Sequence, residues 1–387
     1  MMTRLAAIGA CILASFLLIA QTPDSYIRSV SLEDNADFTG FDLMNLEDQR
    51  LFVLAEHWHN IRSVPKATMK VLRYLHQTAN VRILAIEQGR SAAMMINQYL
   101  TTGDATLLEQ ITRHTMFWGQ ENRAFFIQLR AFNQSLPAQE RIHVQSIDIE
   151  YKMESAVYVI NQWLADKTIP DELQRTIGFF KLIYDESKGH REQYDGLAVL
   201  FYYDKESVRK LVDFTLGDLQ QQPESYRAFF DEKFEDFAAM LTDMKNGLIF
   251  DYTNPNTNYK FRDLLIYGKL NDLLAKYPDQ AILCVIGMRH TTKGSSIYQL
   301  GVDAKSPVRN RVTNIRISAL YNGSFMSPDL RRINFSEPKK LKNQPASLIR
   351  HDPKDPTFKS TKSFDYTLFI NDDGSLTPYP KVYKGER

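Results

Sequence analysis

Leu51-Phe52-Val53-Leu54-Ala55 is an uninterrupted apolar run that stops on Glu56-His57-Trp58-His59-Asn60. Val81-Arg82-Ile83-Leu84-Ala85-Ile86 repeats the plan and stops on Glu87-Gln88-Gly89. Short runs rich in Val, Ile and Leu with polar ends read as buried strands of a parallel sheet. Between them, Ser63 followed by Val64-Pro65 is a helix start, and Met69, Leu72 and Leu75 recur at helical spacing to about Thr78. Strand, helix, strand is a βαβ unit, which makes the two strands parallel and brings both carboxylates to one end of the sheet. That end is where open α/β sheets hold their ligands.

The rest of the chain fits around this unit. Residues 22 to 50 are polar and acidic without a sustained period, and read as a lead-in wrapping the sheet edge. Ala92, Met95, Ile96, Tyr99 and Leu100 mark one face of a helix from Arg90 to Thr102 that stops at Gly103. Leu107, Leu108 and Ile111 mark a short helix, and Phe125, Leu129 and Phe132 a longer one from Glu121 to Ser135. Ile142 to Asp148 reads as a third strand ending in a carboxylate. Residues 151 to 276 show almost no strand-like alternation. Their apolar residues recur at helical spacing, with breaks near Pro170, Gly189 and Pro223 and a loop at Thr253-Asn254-Pro255-Asn256. A helical insertion results, readable either as a lid over the site or as a helical half of the core. Ala281 to Gly287 returns to buried-strand character and leads into Met288-Arg289-His290, and Val312 to Leu320 and Phe364 to Ile370 are later strands, separated by an irregular Pro- and Lys-rich connection. The expected fold is α/β: a mostly parallel sheet with flanking helices and a large helical insertion, residues 51–387 forming the main domain.

Composition narrows the function. Lysine plus arginine (47) balance aspartate plus glutamate (46), so no basic surface favours nucleic acid as partner. Met1-Met2-Thr3-Arg4 and the apolar run from Leu5 to Ala20 resemble a secretory signal. The run is shorter than the roughly 20 residues that span a bilayer, so no stable membrane insertion is expected once it is cleaved. Cleavage after Ala20 is poorly marked, because Leu18 stands where a small residue is usual, and retention as an anchor stays open. The apolar run continues past Cys11, against a lipid-modified cysteine, and removal of the signal leaves Cys284 without a disulfide partner in an exported protein. No phosphate-binding glycine loop and no zinc-spaced cysteine set is visible.

Glu56, His59, Glu87, Asp148 and His290 each close a predicted strand or follow one closely. Imidazole takes up a proton near neutrality, and a carboxylate beside it fixes the tautomer and stabilises the imidazolium. One histidine as base, glutamates to orient it and the water, and a second histidine suffice for hydrolysis without a covalent intermediate. Singly, each residue also reads as a structural hydrogen-bonding group or a helix cap. Their joint placement at successive strand ends favours chemistry. His57, Asp148 and Arg289 are candidates for substrate contact. Trp58 reads as packing, and His76, His114, His143, His190 and His351 follow no pattern.

Glu56-His57-Trp58-His59 resembles the Gly-Glu-x-x-His-Gly signature of the erythromycin esterase family, and Ile86-Glu87 resembles its second acidic position. Similar in order and spacing are Asn97-Gln98-Tyr99-Leu100 before Gly103-Asp104, Trp118, Arg130 and Asn133, Ile147-Asp148, Arg262-Asp263 and Phe364-Asp365-Tyr366. The resemblance runs from about Leu51 to Ile370 and implies a small-molecule, metal-independent hydrolase with His59 as general base and Glu56, Glu87 and His290 completing the site. Ala55 and Asn60 stand where the signature has glycines, a departure that bears on the macrolide substrate rather than on the site. The wider superfamily also holds haem-binding proteins and metal-dependent peptidases. By that analogy His57, His59 or His290, with the glutamates, would ligate haem or a divalent cation. No metal or other cofactor is expected on the hydrolase reading.

Overall fold

The computed structural model describes residues 27–57, 59, 61–114, 119–150, 153–191, 205–250, 255–321, 324–325, 344–351, 364–371 and 374–377. The signal-like residues 1–20, Trp58, Asn60, Trp118 and the Thr253-Asn254 part of the expected loop lie outside them.

The expected βαβ unit is present. β2 (Leu51–Glu56), α1 (Val64–Thr78) and β3 (Val81–Ile86) follow one another, after a three-residue β1 (Ile27–Ser29). Next come α2 (Arg90–Thr102), α3 (Ala105–His114), α4 (Gln120–Gln134) and β4 (His143–Ser146). The stretch read as an insertion carries α5 (Met153–Leu164), α6 (Ile177–Arg191), α7 (Lys205–Gln221), α8 (Pro223–Phe230), α9 (Phe234–Ile249) and α10 (Pro255–Lys276). β5 (Ala281–Gly287), α11 (Ser296–Val302), β6 (Val312–Tyr321), β7 (Ser324–Phe325), β8 (Ala346–Arg350) and β9 (Tyr366–Ile370) complete the order.

The strands lie side by side as β1-β8-β9-β6-β2-β5-β3-β4, with β7 paired to β6. From β9 to β4 every neighbour is parallel, whereas β8 runs antiparallel to both β9 and β1. β5 is inserted between β2 and β3, with Glu56 level with Gly287 and Ile86 level with Val285. The carboxyl ends of the first βαβ unit therefore flank the end of β5.

Alternation along the buried strands sends successive side chains to two separate cores. Phe52, Leu54, Leu84, Ile86, Leu283 and Val285 face a layer holding α1 to α9. Leu51, Val53, Ile83, Ala85, Ile282, Cys284 and Ile286 face α10 and α11. Each fully buried aliphatic side chain in these cores contributes about 1.5–3 kcal/mol. The helices of residues 151–276 are thus divided: α5 to α9 join the helices of the first half in one core, and α10 crosses to cover the opposite face. Pro255 and Asn256, read from sequence as loop, form the first turn of α10.

Local signals explain several boundaries. α2 stops where Gly103 adopts φ 73°, and its N–H donates to the Tyr99 carbonyl at 2.8 Å. A Cβ there would meet the Arg130 guanidinium at 2.5 Å, the movable end of a long side chain, so it is the left-handed backbone that calls for glycine. The outer side of edge strand β4 is not left open. Asn97 pairs through its side-chain amide with the N–H and C=O of Val144 (2.9 and 2.7 Å), and Asn133 does the same for Ile142 (2.8 and 2.9 Å). Side-chain amides take the place of a further strand, which is one way to protect a sheet edge.

Candidate active site

Glu56, the last residue of β2, starts the site. Its Oε2 accepts a hydrogen bond from His59 Nδ1 at 3.0 Å, three residues on in the turn that leads to α1. This bond turns Nε2 toward the end of β5. Gly287 closes β5, and a Cβ on it would sit 3.4 Å from His59 Nε2 and 3.2 Å from Glu87 Oε2. The missing side chain lets the imidazole and the second carboxylate approach one another. Glu87 itself is held by the Gly287 N–H, which donates to its Oε2 at 2.5 Å.

The other side of Glu87 meets a buried arginine. Arg262 of α10 donates through Nη2 to Glu87 Oε1 and to Asp148, and its Nε lies 3.0 and 3.1 Å from the two Asp148 oxygens. Its Nη1 is 3.1 Å from His290 Nε2, which in turn lies 3.3 Å from Glu87 Oε1. His290 Nδ1 donates to Asp263 Oδ1 at 2.7 Å, and Ser296 Oγ donates to the same carboxylate at 3.1 Å. Glu56, His59, Glu87 and His290 therefore converge at one end of the sheet. Only the first three line the cavity beside it. His290, with its side chain 3% exposed, lies behind Glu87.

Electrostatics follow from this crowding. Four carboxylates, those of Glu56, Glu87, Asp148 and Asp263, face one guanidinium and two imidazoles, so protonation of both rings is favoured. Burial alone would lower the His59 pKa, but the hydrogen bond and charge of Glu56, then the charge of Glu87, raise it to about 9. Burial opposes protonation of His290 as well, and its bonds to Asp263 and Glu87 again prevail, raising it to about 9. Burial would push Glu87 up, but His290, Arg262 and His59 together hold it far below the usual carboxylate range. For Asp148 burial wins over Arg262 and the pKa is raised.

The remaining candidates fall in different places. Asp148 lies beyond the end of β4, which closes at Ser146; it is completely buried under Arg262, holding the arginine instead of facing the cleft. Arg289 stacks its guanidinium 3.6 Å from the Tyr259 ring centroid, against α10. His57 is half-buried directly after β2. Arg262 and Asp263 carry more of the site than the sequence reading gave them. Their signal was present: Arg262 shares a helix face with Ile266 and Leu270, four and eight residues on, so a charge stands on the buried stripe of α10.

Between Glu87, Asp148 and His290 lies the Arg262 guanidinium, which bonds to all three. Among the described residues no group of three or more His, Cys, Asp or Glu side chains has a geometry that would hold a metal.

A family model for erythromycin esterase matches residues 76–286, more than half of the chain. The protein belongs to the erythromycin esterase family. Membership places it among hydrolases of that type. The matched span includes Glu87, Asp148, Arg262 and Gly287's neighbour Ile286, while Glu56 and His59 precede it and His290 follows it. Solved structures agree on the fold. The erythromycin esterase EreC, as a mutant in its open conformation, matches with a TM-score of 0.58 at 13% identity, over 90% of this chain and 98% of that one. A Bacillus cereus protein matches at 0.56 and 15% identity over 92% and 97%, and a succinoglycan biosynthesis protein at 0.60 and 12% over 91% and 96%. A comparison with curated proteins found no match.

Proposed function

We propose that the protein is an exported hydrolase that activates water with His59 against an ester or lactone bond of a small molecule. The observation that carries this reading is the placement of His59: Nδ1 is fixed on Glu56, Nε2 faces the end of β5 beside Glu87, and a cavity opens there. In the neutral ring Nδ1 bears the proton and donates it to Glu56, so Nε2 is the acceptor. A water bound at Nε2 forms its O–C bond with the substrate carbonyl as its proton passes to the ring. Glu56 stabilises the imidazolium formed, and the ring returns that proton to the alcohol oxygen as the C–O bond breaks. Glu87, ionised and clamped by Arg262 and the Gly287 N–H, supplies the second negative charge that keeps the ring basic. His57, directly after β2, and Arg289, stacked on Tyr259, are proposed to contact substrate.

Export rests on the signal-like first 20 residues. Among the described residues no helix is long and apolar enough to cross a membrane. The reading is tested by presenting the purified mature chain with a panel of esters, lactones and peptides, with and without a chelator. Hydrolysis of an ester or lactone that survives chelation is expected. Peptide cleavage lost on chelation and restored by metal would replace the reading with a metallopeptidase.

A further inference from the structure

The helix that brings Arg262 and Asp263 and the empty space of the site lie on opposite sides of the sheet. Arg262 and Asp263 reach Glu87 and His290 from α10, on one face. The cavity opens on the other face, under α1 and α4, where Thr68, Leu84, Phe125 and Val285 line it and Glu56, His59 and Glu87 stand at its polar end. Its volume is about 50 Å³. An engineered apolar cavity of about 150 Å³ admits benzene and stays dry, so a space near one third of that size takes about two to four carbon atoms and no aromatic ring.

We propose that this cavity is a subsite for a short aliphatic group of the substrate, next to the scissile bond. A polar bond held at His59 and Glu87 leaves one of its substituents directed between α1 and α4, where Val64, Pro65, Leu84, Ile86, Phe125 and Val285 supply most of the wall and Thr68 and Asn122 add two uncharged polar groups. Such a group gains the transfer free energy of each methylene, while a longer chain or a ring clashes with Phe125 and the sheet. The buried walls Leu84 and Val285 are strand residues packed in the core, so the pocket cannot widen on that side without moving the sheet. The site therefore sorts substrates by the size of one substituent. The substrate class rests on the hydrolytic reading above, whereas the pocket itself does not.

Two measurements keep these apart. Butyrate, benzoate and octanoate are titrated into the protein and followed by heteronuclear NMR. Butyrate is expected to saturate and to shift the methyl signals of Val64, Leu84 and Val285, and benzoate is expected not to. Thr68→Leu, which fills the cavity from α1, is expected to weaken butyrate binding by roughly tenfold or more. Phe125→Ala, if it folds, admits benzoate; Phe125→Leu is the milder substitute. Equal butyrate binding in wild type and Thr68→Leu, or benzoate binding as tightly as butyrate, would overturn the proposal. In parallel, ester turnover is compared along acyl chains of increasing length and, separately, along alcohol chains. The series that peaks at two to four carbons and shifts in Thr68→Leu identifies which side of the bond enters. Butyrate binding without turnover of any ester would discard the hydrolase and keep the pocket; turnover indifferent to both chain lengths would discard the pocket and keep the hydrolase.

Discussion

At the scale of single residues, the site depends on one missing side chain and one buried charge. Gly287→Ala introduces a Cβ at 3.2–3.4 Å from Glu87 and His59, close enough to push the imidazole aside by a few tenths of an ångström. The expected outcome is a drop in kcat of roughly tenfold or more with little loss of stability, since displacements of reacting groups are amplified in rate. Steady-state kinetics and a melting curve separate the two, and a variant that is unstable but fully active when folded would contradict the geometry. Arg262→Met is the opposite case. It leaves Glu87 and Asp148 buried without their cation, at an expected cost of about 3–5 kcal/mol. Denaturant titration should show that deficit at neutral pH and partial recovery toward pH 4, where the orphaned carboxylates take up protons. A deficit that does not change with pH would mean that packing, not charge, is what Arg262 provides.

At the scale of elements, strands with apolar runs and polar ends were legible in the sequence, and short edge elements were not. β2, β5, α1 and α2 stand where periodicity and end signals put them, because each is buried and its pattern is set by burial. β1 has three residues, two of them exposed, and β8 lies in a stretch whose Pro and Lys content hides a five-residue strand. Such strands exist because a neighbouring strand offers them hydrogen bonds, and no local pattern records that. The convergence of Glu56, Glu87 and His290 could be read because strand ends meet in space. The clamp by Arg262 could not be placed, because the path of α10 across the second face is a tertiary fact. Edge protection of β4 is likewise tertiary, and it is testable. Asn133→Ala removes both partners of the buried Ile142 backbone, with an expected loss of about 1–3 kcal/mol for each group left unpaired. Urea unfolding should report it; stability within about 0.5 kcal/mol of wild type would show that water replaces the amide.

At the scale of the whole molecule, the two helical layers meet at the carboxyl ends of the strands, one bringing Arg262 and Asp263 and the other a mostly apolar wall. A net charge of +1 leaves no general field to draw in polyanions. Stability should depend on pH through the buried groups. His290 has a folded pKa of about 9, above its ordinary 6.5, so its contribution is full below about 6.5 and disappears as pH rises through 9. Glu87 is held low, so its contribution is present above about 4.5 and is lost as pH falls. Thermal melting should therefore be highest between about pH 5 and 7, and His290→Gln should flatten the alkaline limb. An unchanged limb in that variant would place the alkaline titration elsewhere.

On the proposed mechanism His59 must lose its proton before it can accept one from water, so catalysis would follow the same kind of protonation. The most direct measurement is kcat/KM against pH for wild type and His59→Ala on the best ester. In wild type kcat/KM should rise about tenfold per pH unit through neutrality and level off near pH 9, where the Glu56-held ring titrates. His59→Ala should lose a factor of roughly 10² to 10⁴ and the rise with it. Full activity in His59→Ala, or a wild-type profile flat from pH 6 to about 9, would remove His59 as the base.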